Sequence, residues 1–459
     1  MTEGIAAATA PVERTRTPAT LAWHLAPLGV ALGSLCLGAV ALGHRSLTTD
    51  EATSVAQARG SLGALLSRIV HDDPGQAGQL LLLKLAATVG ANERTIRAPS
   101  AIAVALAAGL LVVLGTMLLG RVGGVVAGIA LAVNAGVVEA SREARPYALG
   151  LLGIVVATLL FVVALERGGG WRWGLYALVG ASLPLTHPLA ASVLAAHGAA
   201  LIVRRDRDDL RRAGIALVIG TIAAGLLLAW MAADRLDAPD GTGGLDLERL
   251  GRGMAPATGW NPVLVAAAIA GIVALFRARD TTSASWRGVL VASLIAAPVV
   301  ATLLVAVALP VYAGALVLCS AGIALAAGAA APLLSSARGR AWAGIAVLLI
   351  ASAVTIAVRL TSAPEEDWRA LAAMVRRERG ARETVVVVPE RSRDAFAYYA
   401  PYVPVIRFAR GEGAWVAVVA STHAGAITAA RPSVRTPTYA LLQQFRHGDD
   451  LRLQHWVRP

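Results

Sequence analysis

Charge is what this sequence has least of. Only 15% of its 459 residues are Asp, Glu, Lys or Arg, where a soluble domain carries about 25%, so an ordinary soluble globular protein is excluded. Cysteine is nearly missing as well. Cys36 and Cys319 both lie inside apolar runs, which leaves no CxxC pair, zinc spacing or disulfide framework. No Walker loop, dinucleotide fingerprint, GxSxG or HExxH stands where its context would support it. The expectation is no cofactor and no metal centre. The net charge of +12 raises nucleic acid as a partner. The arginines, however, cluster in short loops between apolar runs, the pattern of cytoplasmic loops in membrane proteins, and no nucleic acid is expected.

What fills the chain is apolar. Hydrophobic residues make up 56% of it and mean hydropathy is +0.64. A bilayer span needs about 20 mostly apolar residues. Segments of that kind are 24–43, 98–119, 122–139, 146–165, 213–232, 261–277, 288–309, 312–333 and 341–361, with a shorter pair, 173–186 and 188–203, split by Pro184 and Pro188. The run 77–90 is short and carries Lys84. With 77–90 lying on the membrane surface and the split pair crossing twice, the Arg-rich loops 204–212, 277–287 and 335–340 fall on the cytoplasmic side with Arg14 and Arg16, as the positive-inside rule requires. The predicted fold is an all-α polytopic membrane protein of about 11 transmembrane helices plus outer-surface juxtamembrane helices, with a small C-terminal extracytoplasmic α/β domain. Its parts are a disordered cytoplasmic N-terminus (1–20), a transmembrane domain (21–361) with an outer loop at 44–97, and a soluble α/β domain (362–459) where "EDWRALAAMVRRERG" and the strand-like "ETVVVVPE" turn polar.

Two stretches at the outer lip carry unusual charge. In "SLTTDEATSVAQARGS", Asp50 and Glu51 stand side by side just beyond the first apolar run. A carboxylate at the hydrocarbon boundary is costly unless it pairs, faces water or does chemistry. The plain structural reading is that Asp50 caps the following helix. In "REARPYAL", Arg142, Glu143 and Arg145 sit between two spans on the side where arginines are disfavoured. Arginine matches phosphate oxygens in a bidentate way, so an anionic lipid head group is one partner that fits; a Glu–Arg pair closing a tight turn is the plain alternative. Asp72 and Asp73 follow in "HDDPGQ", and His187 stands beside the helix break of "LTHPLAAS". His197, on an apolar face, reads as a core histidine.

These stretches resemble the GT-C glycosyltransferases, polytopic membrane enzymes that use polyprenyl-phosphate sugars and include protein mannosyltransferases and aminoarabinose and arabinofuranose transferases. The similarity is strongest to an actinobacterial subgroup of mannosyltransferases. It is carried by "TTDEATSVAQARGSL", "DDPGQAGQLLLLKL", "ERTIRAPSAIA", "REARPYAL" and "THPLAASVLAAH", and covers residues 20–200 better than the rest. The resemblance implies Asp50 as general base on an acceptor hydroxyl, Glu51 orienting or supporting it, and Asp73 near the sugar or acceptor. It places Arg142, Arg145 and Tyr147 on the lipid-phosphate side, and His187 beside the substrate. Family members often carry Tyr-Tyr where this chain has Gln79-Leu80, His where it has Gln76, and an Arg-Tyr pair where it has Ala315-Leu316. Either Arg252 or Arg249 in the outer loop replaces that arginine, or the donor differs.

The implied activity is an inverting glycosyl transfer, mannose being the sugar guessed, at the extracytoplasmic face of the cell membrane. The donor is a polyprenyl-phosphate sugar, and the acceptor is an extracytoplasmic glycan, lipid or protein. A non-catalytic lipid- or glycan-binding relative on the same scaffold is the alternative. A transporter fits less well, because the charges sit at the lips of the spans rather than midway.

Overall fold

The computed structural model describes residues 18–71, 74–204, 207–233, 247–277, 282–306, 313–334, 338–362, 364–420, 423–434 and 439–458. The chain opens with α1 (Pro18–Ala39), an apolar helix that ends in a turn at residues 40–45. Three short helices follow: α2 (Thr49–Arg59), α3 (Leu62–His71) and α4 (Ala77–Val89). On α3, Leu65 and Ile69 are buried while Leu62, Leu66 and Val70 stay exposed. On α4, Leu80 and Leu83 are buried while Leu81, Leu85 and Val89 stay exposed. Each helix therefore packs one face and leaves a second apolar stripe, at four-residue spacing, uncovered.

The helical bundle begins with α5 (Glu93–Ala132), packed along α1. The sequence separates this region into spans 98–119 and 122–139. The structure joins them in a hairpin folded at Gly120, whose φ of +82° is open to glycine at no steric cost. The two arms lie so close that a Cβ on Gly124 would sit 2.4 Å from the Thr116 amide nitrogen. The second arm stops early, at Asn134, whose side chain accepts from the amides of Gly136 and Val137 and caps the short α6 (Ala135–Ser141). Next come α7 (Tyr147–Arg167), α8 (Gly170–Thr186), α9 (Val193–Arg204), α10 (Arg207–Ala233), α11 (Leu247–Thr258), α12 (Pro262–Arg277) and α13 (Thr282–Ala306). The break between α8 and α9 falls at His187-Pro188, followed by a 3₁₀ turn over Pro188–Ser192.

Segment 312–333 differs from the continuous span expected. It is a 3₁₀ turn (Ala313–Cys319), then α14 (Ser320–Ala329) and α15 (Ala331–Leu334). Every residue of α14 is buried, because its Ala- and Gly-rich surface lets α5, α12 and α13 press against it from several sides. α16 (Arg338–Thr361) completes the bundle. Among the described residues, five helices are long and apolar enough to cross a membrane.

The C-terminal segment builds α17 (Trp368–Glu378), β1 (Glu383–Val388), α18 (Arg393–Tyr399), β2 (Gly413–Val419), α19 (His423–Val434), β3 (Ala440–Arg446) and β4 (Leu451–Val457). The four strands form one sheet in the order β1-β2-β4-β3, with β1 parallel to β2 and the other pairs antiparallel. α19 covers one face through Ala426, Ala430 and Val434. On the other face, Trp368, Leu371, Val375 and Phe396 form a core that runs on without interruption into Leu47, Ala52, Val55 and Ala58 of the α2 region. The sheet is thus packed through α17 and α18 directly onto α2.

Candidate functional site

The site is assembled at the end of the bundle where α1 stops, α2 starts and α6 passes into α7. Thr48 is the N-cap of α2. Its hydroxyl accepts from the Glu51 amide at 3.4 Å and the Glu51 carboxylate accepts from the Thr48 amide at 3.0 Å, a reciprocal capping box. The cap is therefore Thr48 and not Asp50, as the plain structural reading had it. Asp50 occupies the second helical position with its side chain exposed, and its Oδ2 accepts from Arg145 Nη2 at 3.0 Å.

Glu51 points the opposite way. It is wholly buried and accepts from Arg97 Nε at 2.9 Å, Arg97 Nη2 at 2.7 Å and the Ala144 amide at 2.7 Å. Arg97 spends its remaining donors on the carbonyls of Leu42, Arg45 and Ser46, at 2.9 to 3.1 Å. One ion pair thereby fastens the turn after α1, the start of α2, the start of α5 and the loop before α7. Burial alone would push the Glu51 carboxyl up. The facing Arg97 guanidinium, with the Ala144 and Thr48 amides, holds it below the usual carboxylate range.

The three charges of "REARPY" separate by role. Arg145 is committed to Asp50 and, at 3.9 Å, to Glu143. Burial works against its charge, but Glu143, Tyr147 and Asp50 hold its pKa above the usual value. Glu143 keeps 36% of its side-chain surface open. Burial among the cavity walls still pushes its carboxyl up to about 7, against the pull of Arg145. Arg142 donates to the Leu37 carbonyl at 2.7 Å, its buried Nε has no partner, and among the described residues no carboxylate lies within ion-pair distance of it. Burial and the neighbouring Arg45 cation pull its guanidinium below the usual range.

These side chains line a cavity of about 530 Å³. Thr48, Glu51, Arg97, Arg142, Glu143, Arg145 and Tyr147 contribute from the first half of the chain. Gly314, Val317, Ile356 and Arg359 come from the later helices, and Glu365, Glu366 and Asp449 from the C-terminal segment. Arg359 pairs with Glu139 through Nε–Oε1 at 2.9 Å and Nη2–Oε2 at 3.1 Å, and its guanidinium lies over the Trp260 ring at 4.3 Å. Trp260 itself is held at φ +53°, in the left-handed region that bulky residues rarely adopt. Arg45 is 3.8 Å from Glu139 and donates to the backbone of Arg359 and Ser362.

His187 does not line this cavity. It is buried at the α8–α9 break, where Nδ1 accepts from the Leu189 amide at 3.2 Å, and its ring stands 5.5 Å from that of Tyr147. Asp73 lies outside the described residues, as do the side chains of Arg249 and Arg252. Ala315 and Leu316 are buried in the apolar core. Arg45, Arg359, Glu139 and Trp260 were not among the residues singled out from sequence. The signals for the two arginines were weak but present. Arg45 stands five residues before Asp50, and Arg359 is the one charge at the end of the last apolar run.

Apolar helices of membrane-crossing length, packed around an Ala/Gly-rich centre beside a charged cavity, mark a membrane protein. Its fold is that of ArnT from Cupriavidus metallidurans. The crystal structure of ArnT from Cupriavidus metallidurans in the apo state superposes with a TM-score of 0.61 at 11% identity, over 95% of this chain and 98% of that one. The structure of ArnT from the same organism bound to undecaprenyl phosphate gives 0.57 at 13% identity, with the same coverage. Residues 78–231 match the family model of dolichyl-phosphate-mannose-protein mannosyltransferases. No curated protein matches by sequence. The resemblance read from "TTDEATSVAQARGSL" and "REARPYAL" thus agrees with both comparisons.

Proposed function

We propose that this protein is an inverting glycosyltransferase that takes a sugar from a polyprenyl-phosphate donor and passes it to a hydroxyl on an extracytoplasmic glycan, lipid or protein. The reading rests above all on the way one cavity divides its charges. Arg145, which lines it, bonds Asp50 just outside the lining, and Arg142 lines it with no carboxylate within ion-pair distance among the described residues. The likeness to a fold whose crystal structure holds undecaprenyl phosphate supports the donor class, and the family model at 78–231 supports mannose among sugars.

In this mechanism the acceptor hydroxyl gives its proton to Asp50 as its oxygen attacks the anomeric carbon. The bond from that carbon to the phosphate oxygen breaks on the opposite face, and its electron pair leaves with the polyprenyl phosphate. Inversion follows from the single displacement. The phosphate carries its own negative charge away, so no general acid is needed; what is needed is a fixed cation where that charge grows. Arg142, with Arg45 and Arg359 lining the same cavity, fills that role. Tyr147 lines the cavity too, with the His187 ring packed against it. Asp73 stands on the acceptor side in this reading. About 11 helices cross the membrane, the cavity opens on the extracytoplasmic face, and α3 and α4 lie on the membrane surface with their uncovered apolar stripes in lipid. The C-terminal α/β segment stands over the cavity on that same side.

The test is transfer of radiolabelled sugar from polyprenyl-phosphate mannose, and from a panel of other polyprenyl-phosphate sugars, to endogenous acceptor in membranes. Asp50→Asn keeps side-chain size but cannot take a proton, and its transfer is expected to fall at least 100-fold with the protein still inserted. Equal transfer by wild type and variant would remove Asp50 from the chemistry. A wild type that binds donor and transfers from none of the panel would point to a non-catalytic relative.

A further inference from the structure

The acidic helix is gripped from the C-terminal segment as well as from the bundle. Glu366 stands two residues before Trp368, which is fully buried in the core beneath the sheet. Its Oε2 accepts three hydrogen bonds: from the Thr49 amide at 2.8 Å, from the Thr49 hydroxyl at 2.7 Å and from Trp368 Nε1 at 2.5 Å. Its carbonyl accepts a fourth, from the Ser46 hydroxyl at 2.8 Å. Thr49 is the first residue of α2, and its amide is one of those a helix start leaves without an internal partner. The Thr48 amide goes to Glu51, so the two residues preceding Asp50 are anchored by two different carboxylates.

Asp50 needs such anchoring. Its side chain is 60% exposed and its carboxylate meets Arg145 through a single 3.0 Å bond, so the direction in which it points is set chiefly by the backbone beneath it. We propose that Glu366 is a positioning residue for Asp50, acting through Thr49, and that the C-terminal segment thereby belongs to the catalytic framework. The inference rests on the reading of Asp50 as the base.

Docking of the C-terminal segment does not depend on Glu366. Arg369 Nη2 pairs with Glu93 at 2.7 Å, Tyr399 donates to Glu93 at 3.0 Å and accepts from the Leu47 amide at 2.7 Å, and the apolar core continues across the junction. Removing the Glu366 carboxylate therefore loosens the first turn of α2 and leaves the rest in place. Misplacing a reacting group by an ångström costs on the order of 100-fold in rate.

The experiment compares full-length wild type, Glu366→Ala and Glu366→Gln in the transfer assay, with thermal unfolding in detergent as a control for folding. Glu366→Ala is expected to lose about 10- to 100-fold in kcat with the KM for donor within about two-fold. Glu366→Gln is expected to keep most of that rate, because its amide oxygen still accepts from the Thr49 amide. Thr49→Val combined with Glu366→Ala is expected to cost no more than Glu366→Ala alone. Amide hydrogen exchange over residues 47–53 supplies a readout free of activity, and it speeds up in Glu366→Ala. An unchanged kcat would overturn the proposal. So would a raised donor KM at constant kcat, which would make Glu366 a substrate contact instead. Should the wild type transfer no sugar at all, faster exchange would uphold the anchor and sink only the enzymatic reading; unchanged exchange would sink the anchor itself.

Discussion

Adjacent carboxylates share little but their place in the chain. Asp50 and Glu51 are successive residues on one helix turn, about 100° apart around its axis, so one is turned to the open side and the other into the packing. Glu51 answers for architecture: it neutralises Arg97 and takes amides from two separate loops. Glu51→Gln would leave the Arg97 charge buried without its partner, and breaking such a pair costs about 3–5 kcal/mol. The expected outcome is a clear fall in thermal unfolding temperature. Adding Arg97→Met should recover part of it, so that the double variant loses less than the sum of the singles. A Glu51→Gln protein as stable as wild type, yet inactive, would place Glu51 in the chemistry instead. Sequence reading found both acids and "REARPY" because charge at the edge of an apolar run stands out. It took Glu51 as a support for Asp50 and did not find its partner Arg97, since that depends on which way each side chain faces.

At the scale of elements, the folding of α5 into a hairpin shows how composition becomes geometry. Gly120 makes the turn and Gly124 permits the close approach of the arms. In apolar surroundings, small residues at a contact allow helices to gain dispersion energy that larger ones would prevent. Gly124→Ala would force a methyl group against the Thr116 backbone, and overpacking of this kind costs about 1–3 kcal/mol. Lower thermal stability, and less folded protein recovered from membranes, is the expected result. A variant of unchanged stability would mean that the arms can part without loss. The hairpin also explains why 122–139 read as one span and is not one continuous helix. Apolar composition continues through Val133 and Asn134, but Asn134 caps a new helix with its own side chain. That capping turns α6 towards the cavity, where it presents Glu139 to Arg359 and Arg45.

For the molecule as a whole, the decisive feature is the continuous core between α2 and the C-terminal α/β segment. Leu47, Ala52, Val55 and Ala58 share one apolar cluster with Trp368, Leu371 and Phe396. A chain ending at residue 362 would expose that face of α2 and strip Glu365, Glu366 and Asp449 from the cavity. Such a truncation is expected to lose transfer activity and to show rapid amide exchange across residues 47–59, with the membrane bundle still inserted. Retained activity would show that the bundle alone organises the site.

The sequence by itself determined what each segment can tolerate. Long apolar runs can only be satisfied in lipid or in a large core, amphipathic spacing after Asp50 predicts short helices with one apolar face, and the composition turns polar after residue 362. Charges at the ends of the runs pointed to the candidate site, because an ionised group there persists only with a partner or a task. Only the tertiary structure decided the partnerships. Arg359 lies 309 residues from Asp50 in numbering and Glu366 lies 317 from Thr49, and no local pattern encodes contacts across such separations. Hydrogen bonds and ion pairs depend on distances of a few tenths of an ångström and on side-chain direction. Those are fixed when the whole chain has packed, and they set Asp50 towards Arg145, Glu51 towards Arg97, and Glu366 across the junction to hold the helix on which both acids stand.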